Sequence, residues 1–385
     1  LGKLSSGELI NVLKHPNKWH RQTAQRLLAD GRDKSIVPRL TSFMMKGDGQ
    51  FALECFWAIN HCGGFNPRLA EHTLTHSHPF IRHWTIRLLG DDYLMTPTLR
   101  AKLIALAKTE INSEVRSCLA ASCKRWAAKD SFPILAALIR RDEDVNDKHI
   151  PLLLWWAIEN KAVSDGPSVA KLLADKSIWK TSMMQSHIVK RLGQRFTAER
   201  TAANLKTAAK LLALAPTDSD RDQLAAGMEE GLRGNAVQNP PKSLLNETIK
   251  LWGSRPHTPQ LISFATRLGL HEAMDEAIAL VKNPKTSASE RRALTQLLSE
   301  RRSANALKLL LDQFEAEKTS KRRIELMTAL QRFNSNSVGM ALLARYAGMP
   351  QRERESAQLI LSSRANWSLE FIQAIDAGNI KREHV

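Results

Sequence analysis

The chain has 385 residues, 43% of them hydrophobic, with 56 Lys and Arg against 39 Asp and Glu and a net charge of +17. That length would hold two or three globular domains, but no apolar run reaches the roughly 18–20 residues of a bilayer span, the longest being 150–158. Four cysteines (Cys55, Cys62, Cys118 and Cys123) exclude a disulfide framework at this size, and the positive field suits either a polyanion partner or an ordinary solvated surface.

In chain order, Ser5 or Ser6 caps a first helix, and His15-Pro16-Asn17 breaks it. A second helix is expected over about 18–29, ending at Gly31. Asp33 then caps the next, and Gly47-Asp48-Gly49 interrupts again. Asn66-Pro67, His78-Pro79, Thr96-Pro97 and Phe132-Pro133 each place a proline near a helix start, where its missing N–H costs nothing. Strand and hairpin signals are almost absent.

One pattern recurs through these helices. A polar or basic anchor is followed by apolar or small residues at plus three, plus six and plus seven, which share one helical face. The anchors are Arg21, Gln50, Arg82, Arg116 and Pro151, then Arg291, Arg323 and Arg354. Arg82, for example, precedes Thr85, Leu88 and Leu89, and Arg291 precedes Leu294, Leu297 and Leu298. A lone helix pair cannot bury such a face; stacking on its neighbours can. The expected fold is therefore all-α: an α-α superhelix of roughly 22–24 helices or 11–12 helix pairs, whose runs from His15 to Leu28 and from Asn112 to Arg116 resemble HEAT units and so imply a HEAT-like solenoid. An anchor arginine can lie along the neighbouring unit and bond helix-end carbonyls or a loop carboxylate.

Between about 196 and 284 the register blurs, with Asn239-Pro240-Pro241 and Ser254-Arg255-Pro256 as the strongest breaks. The division expected is an N-terminal array over 1–235 and a C-terminal one over 236–385, continuous with it. A chain beginning at Leu1 rather than Met is expected to lack its native start.

Three segments resemble one multidomain family: the 15–28 run HPNKWHRQTAQRLL, the 147–159 run DKHIPLLLWWAIE, and the 375–380 run IDAGNI. They look like the HEAT-repeat region of the membrane-bound dehydrogenase-like proteins of planctomycetes and verrucomicrobia. In that family a β-propeller precedes the repeats and a c-type haem domain follows them. This chain holds neither a propeller nor a Cys-x-x-Cys-His motif, so the resemblance implies no cofactor here, a c-type haem only in a missing flanking domain, and a cell-envelope or periplasmic location. Its implied role is a scaffold docking other domains of the same polypeptide or a protein partner.

Few residues suggest chemistry. His72, His76 and His78 are close in sequence, and His72 and His76 could share a helical face as metal ligands do, but an inter-helix turn explains them as well. Trp19, Trp57 and Trp84 fall at or near core positions. Trp155 and Trp156 are adjacent, so one packs inward while the other can reach a binding surface. Arg292, Lys321 and Arg322 are basic residues beside anchors, free to meet an anion. Asp142, Glu143, Asp144 and Asp147 form an acidic loop read as helix-start capping. No catalytic residue is assigned. The alternative to a scaffold is a nucleic-acid-binding solenoid resembling the HEAT-like alkylpurine DNA glycosylases, which requires Lys and Arg lining a groove around exposed Trp.

Overall fold

Capping chemistry sets where each helix begins. The computed structural model describes residues 1–254 and 256–385; Arg255 of the Ser254-Arg255-Pro256 break lies outside them. Ser5 accepts from the N–H of Glu8 while Glu8 accepts from that of Ser5, a reciprocal capping box. Asn66, Thr96 and Thr258 cap through their side chains, each just before a proline.

The described residues form no strand. The chain opens with α1 (Ser6–Val12), α2 (Lys18–Gly31), α3 (Val37–Lys46), α4 (Gly49–His61), α5 (Pro67–Thr73) and α6 (Pro79–Asp91). It continues through α7 (Pro97–Thr109), α8 (Ser113–Cys123), α9 (Ala128–Ile139), α10 (Ile150–Ser164), α11 (Gly166–Leu172) and α12 (Val189–Ala198). Then come α13 (Ala202–Leu214), α14 (Asp218–Leu232), α15 (Lys242–Gly253), α16 (Pro259–Leu268), α17 (His271–Lys282) and α18 (Ala288–Arg301). The last are α19 (Ala304–Ala316), α20 (Ser320–Leu330), α21 (Asn336–Tyr346), α22 (Gln351–Leu361) and α23 (Ala365–Asp376).

Odd helices pack on odd and even on even, as repeated pairs require: α7 on α9 and α13 on α15, α6 on α8, α8 on α10, α14 on α16 and α20 on α22. This is an all-α, HEAT-like solenoid arrangement. The described residues divide into two compact units, Leu1–Val189 and Lys190–Val385. The 235/236 division expected from the sequence falls inside the second unit, between α14 and α15. One apolar core in the first unit runs from Leu9 to Ile81, and one in the second from Ile262 to Ile380.

The anchor register describes both ends of the chain. Leu154, Ala157 and Ile158 are fully buried, as are Leu298, Leu330, Ala357 and Leu361. Arg21, Arg82, Arg116, Arg291, Arg323 and Arg354 all occupy the fourth position of their helices. Three expectations need correction. Trp19 is 62% exposed, because it precedes the buried face of α2 that Ala24 and Leu28 begin. Leu88 is only half-buried, and Leu89 fills the core in its place. Pro133 starts no helix but lies inside α9, on the exposed side with Lys129, to whose carbonyl it has no N–H to donate.

The blurred middle has a local cause. A π-helical turn over Met184–Ile188 precedes α12, inserting a residue into the helical period. In α14 the pattern persists as Arg221, Leu224 and Met228, but plus six is Gly227. That glycine lets two helices meet backbone to backbone: a Cβ on Gly227 would lie 1.9 Å from the Lys190 carbonyl oxygen, and one on Gly193 would lie 2.3 Å from that of Leu224. Thr197 Oγ1 ties the crossing by donating to the Met228 carbonyl at 3.1 Å.

Candidate functional site

In four repeats the internal turn is built by two residues six apart. Arg21 donates to the His15 and Pro16 carbonyls at 2.9 and 2.8 Å, and Arg82 to those of His76 and Ser77 at 2.7 and 2.9 Å. Arg116 reaches the Glu110 carbonyl at 3.1 Å, and Arg323 that of Glu317 at 2.9 Å. The residue supplying that carbonyl also folds the turn with its side chain. His15 Nδ1, His76 Nδ1, Glu110 Oε1 and Glu317 Oε1 each accept the N–H two residues on, at 3.0, 3.0, 2.9 and 2.8 Å. Any short acceptor can occupy this position, which is why His and Glu interchange there.

The same guanidiniums reach the next repeat. Arg21 Nε bonds Glu54 at 2.9 Å, Arg82 holds both oxygens of Glu110 at 2.7 and 2.6 Å, Arg116 both of Asp144 at 2.7 and 2.5 Å, and Arg323 Glu353 at 2.8 Å. Burial pushes the Glu110 carboxyl up, but the Arg82 bonds, the Asn112 N–H and the Arg82 charge outweigh it, leaving it below the usual carboxylate range. The hydrogen bond to Asp144 raises Arg116 above its ordinary value against its burial. The sequence indicated the arginines but not these acids, nor Lys161, whose buried ammonium donates to the Lys124 carbonyl at the end of α8 at 2.7 Å and is shifted down by that burial.

The candidate histidines are spread over different tasks. His72 Nδ1 meets the Arg68 carbonyl of its own helix at 2.7 Å. His76 is buried, its Nε2 at 3.1 Å from the Met44 carbonyl of the preceding repeat. His78 Nε2 lies 4.0 Å from Asp48. Among the described residues, no group of three or more His, Cys, Asp or Glu is placed to hold a metal ion. Trp155 is buried and Trp156 is 44% exposed, so the pair does divide between interior and surface. Trp57 and Trp84 stack edge to face at 5.4 Å, with Arg87 over Trp84. Asp144 is buried against Arg116, whereas Asp147 caps α10 through the His149 and Ile150 N–H groups.

In the second unit, two of the predicted cations share a groove. A cleft of about 530 Å³ lies between α18 and the α19–α20 turn, lined by Arg291, Arg292, Lys318 and Arg322. A second, of about 400 Å³, continues between α18 and α20 past Arg292, Arg322 and Glu325 to Arg332. Small side chains open it: Ala288 and Ala316 in the first part, Thr295 and Ser299 in the second. Glu325 Oε2 accepts from Arg322 Nη1 at 2.9 Å and forms an ion pair with Arg292 Nε at 3.1 Å, and Arg322 also donates to Thr295 at 3.0 Å. Burial raises the Glu317 carboxyl, but bonds from Thr319 and from the Lys318 N–H outweigh it and hold it low. Lys321 is exposed on α20 and does not line either cleft. Trp155 and Trp156 belong to the first unit, and no aromatic residue lines the groove.

Among the described residues no helix is long and apolar enough to cross a membrane. The sequence matches no protein-family model and no curated protein. The backbone is similar to that of a Kap121p mutant, with a TM-score of 0.51 and 11% identity over 96% of this chain and 46% of that one. A second Kap121p mutant aligns with a TM-score of 0.47 and 10% identity over 94% of this chain and 44% of that one. The chain thus spans less than half the length of these structures. The first likeness is one of fold, and the fold is that of a HEAT-like helical solenoid.

Proposed function

We propose that this chain is a non-catalytic α-solenoid scaffold that binds protein partners through its repeat surface. The observation that carries this reading is the use made of its buried charge. Glu54, Glu110, Asp144 and Glu353 each hold an arginine of the preceding repeat, so the polar groups of the interior join layers. The open groove along α18 and α20 has the breadth of a docking surface.

A nucleic-acid-binding solenoid would need cations around exposed aromatic rings on which bases stack. Among the described residues, the lining of the basic groove along α18 and α20 includes no aromatic ring. Retention of the chain on immobilised duplex DNA as a function of salt tests the choice. The scaffold reading expects elution well below physiological ionic strength; steeply salt-dependent binding that persists there would overturn it.

The finer assignment, to a cell-envelope dehydrogenase-like parent with a haem domain, is supported by the three resembling segments alone. They fall on the α1–α2 turn and α2, on the start of α10, and on the end of α23. The full reading frame tests it: a propeller upstream and a Cys-x-x-Cys-His motif downstream are expected, and a frame encoding neither would exclude that parent.

A further inference from the structure

The groove between α18 and α20 carries more cations than its own acids hold. Arg291, Arg292, Lys318, Arg322 and Arg332 line it against Glu317 and Glu325. Glu317 is committed to its turn, since its Oε1 accepts from the N–H groups of Lys318 and Thr319 and from Thr319 Oγ1. Glu325 meets Arg292 and Arg322 through one oxygen. Two planar forks, each able to grip a carboxylate with two parallel bonds, therefore share a single acceptor atom. Among the described residues, Arg292 has no other side-chain partner and the Lys318 ammonium has none.

We infer that this groove docks an acidic peptide segment of a partner protein, whose carboxylates take over Arg292 and Arg322 from Glu325. The inference rests on the scaffold reading and names the chemistry of its partner. Charge complementarity sets the sign of the ligand. The lining sets its class: Gln296 presents an exposed side-chain amide to an extended chain, and among the described lining residues no ring is present to stack a base. Glu325 repels any incoming acid, phosphate or carboxylate alike. Glu325 also acts as an internal stand-in, so an incoming acid must displace it.

The test uses the full chain and a fluorescein-labelled peptide of alternating glutamate and serine, read by anisotropy at low and near-physiological salt, with circular dichroism melts for every variant. Arg292→Glu combined with Lys318→Glu is expected to weaken binding by about tenfold or more, while Lys108→Glu with Lys176→Glu, two exposed cations of the first unit, leaves it within about twofold. Glu325→Gln is expected to tighten binding several-fold, a gain that misfolding cannot mimic. Equal losses in the two double variants would assign the binding to the general field of the molecule and overturn the groove. So would a Glu325→Gln variant that binds no better than the parent. Failure of the peptide to bind, without duplex binding, removes this inference and leaves the scaffold; duplex DNA that competes for the groove near physiological salt removes both.

Discussion

At the scale of single residues, the same substitution should have opposite signs at two glycines. Gly31 ends α2 with nothing within 4 Å of an added Cβ, so Gly31→Ala should stabilise by about 0.5–1 kcal/mol, from the lower entropy of the unfolded chain. Gly227→Ala must drive a methyl into the Lys190 carbonyl and should cost about 3 kcal/mol or more. Urea unfolding of both variants checks the contrast, and a tolerated Gly227→Ala would mean that the α12–α14 crossing is wider than described. The thiols are a second residue-scale case. All four are buried, and burial pushes Cys55 up to about 12 and Cys118 up to about 11, with Cys123 shifted further in the same direction. A disulfide reagent at mild alkaline pH should find none of them in the folded chain and all four after guanidinium unfolding. Burial of Cys123 was legible in the sequence, because it holds the plus-seven place after the Arg116 anchor. The tasks of His15 and His76 were not, because a turn acceptor is defined by a bond to the backbone two residues on, and side-chain type hardly constrains it.

At the scale of the helix, the plus-three, plus-six and plus-seven pattern was readable because the period of one helix fixes which side chains share a face. Leu297 is 2% exposed, and Leu297→Ala should cost about 2–5 kcal/mol. Leu88 lies at the core's edge, so Leu88→Ala should cost clearly less; thermal melts that rank the two the other way would overturn the register in α6 or α18. The acids that meet the anchors were not readable, because their offsets from the arginines vary, at 33, 28, 28 and 30 residues, and so do the elements that carry them. Glu54 lies within α4, Glu110 just after α7, Asp144 in a 3-10 turn and Glu353 at the start of α22. Only stacking brings them to equivalent places. Their titration has a definite sign. The Glu110 carboxyl is held below its unfolded value of about 4.3, so its pairing stabilises the fold above that pH and the contribution is lost as pH falls through the lower folded value. Denaturation midpoints between about pH 6 and 3 should therefore fall toward acid, and Glu110→Gln should flatten part of the slope while lowering the midpoint at neutral pH.

At the scale of the whole chain, cations outnumber acids in both units, so the net charge marks neither of them as a special polyanion surface. What distinguishes the α18–α20 groove is local imbalance in a concavity, which the sequence hinted at through Arg292 and Arg322 but could not assemble. The middle stayed unreadable for two physical reasons. The π-helical turn at Met184–Ile188 shifts the helical period, and in α14 a glycine stands where the pattern demands bulk, because packing there is by backbone contact.

The arginine–acid bonds give each array a direction. In every such anchor pair the base belongs to the earlier layer and the acid to the later one. The acids are the more hidden partners: the Glu54, Glu110, Asp144 and Glu353 side chains are 5%, 1%, 2% and 0% exposed, against 15%, 13%, 6% and 16% for their arginines. Trimming from the two ends is then unequal. Removal of α21 and everything after it strands Arg323, which can turn its guanidinium into water. Removal of α1 and α2 takes both Arg21 and Gln25 from Glu54 and leaves Gln50 as its side-chain partner, an acid stripped of its cation. Such a solenoid should tolerate shortening from its tail better than from its head.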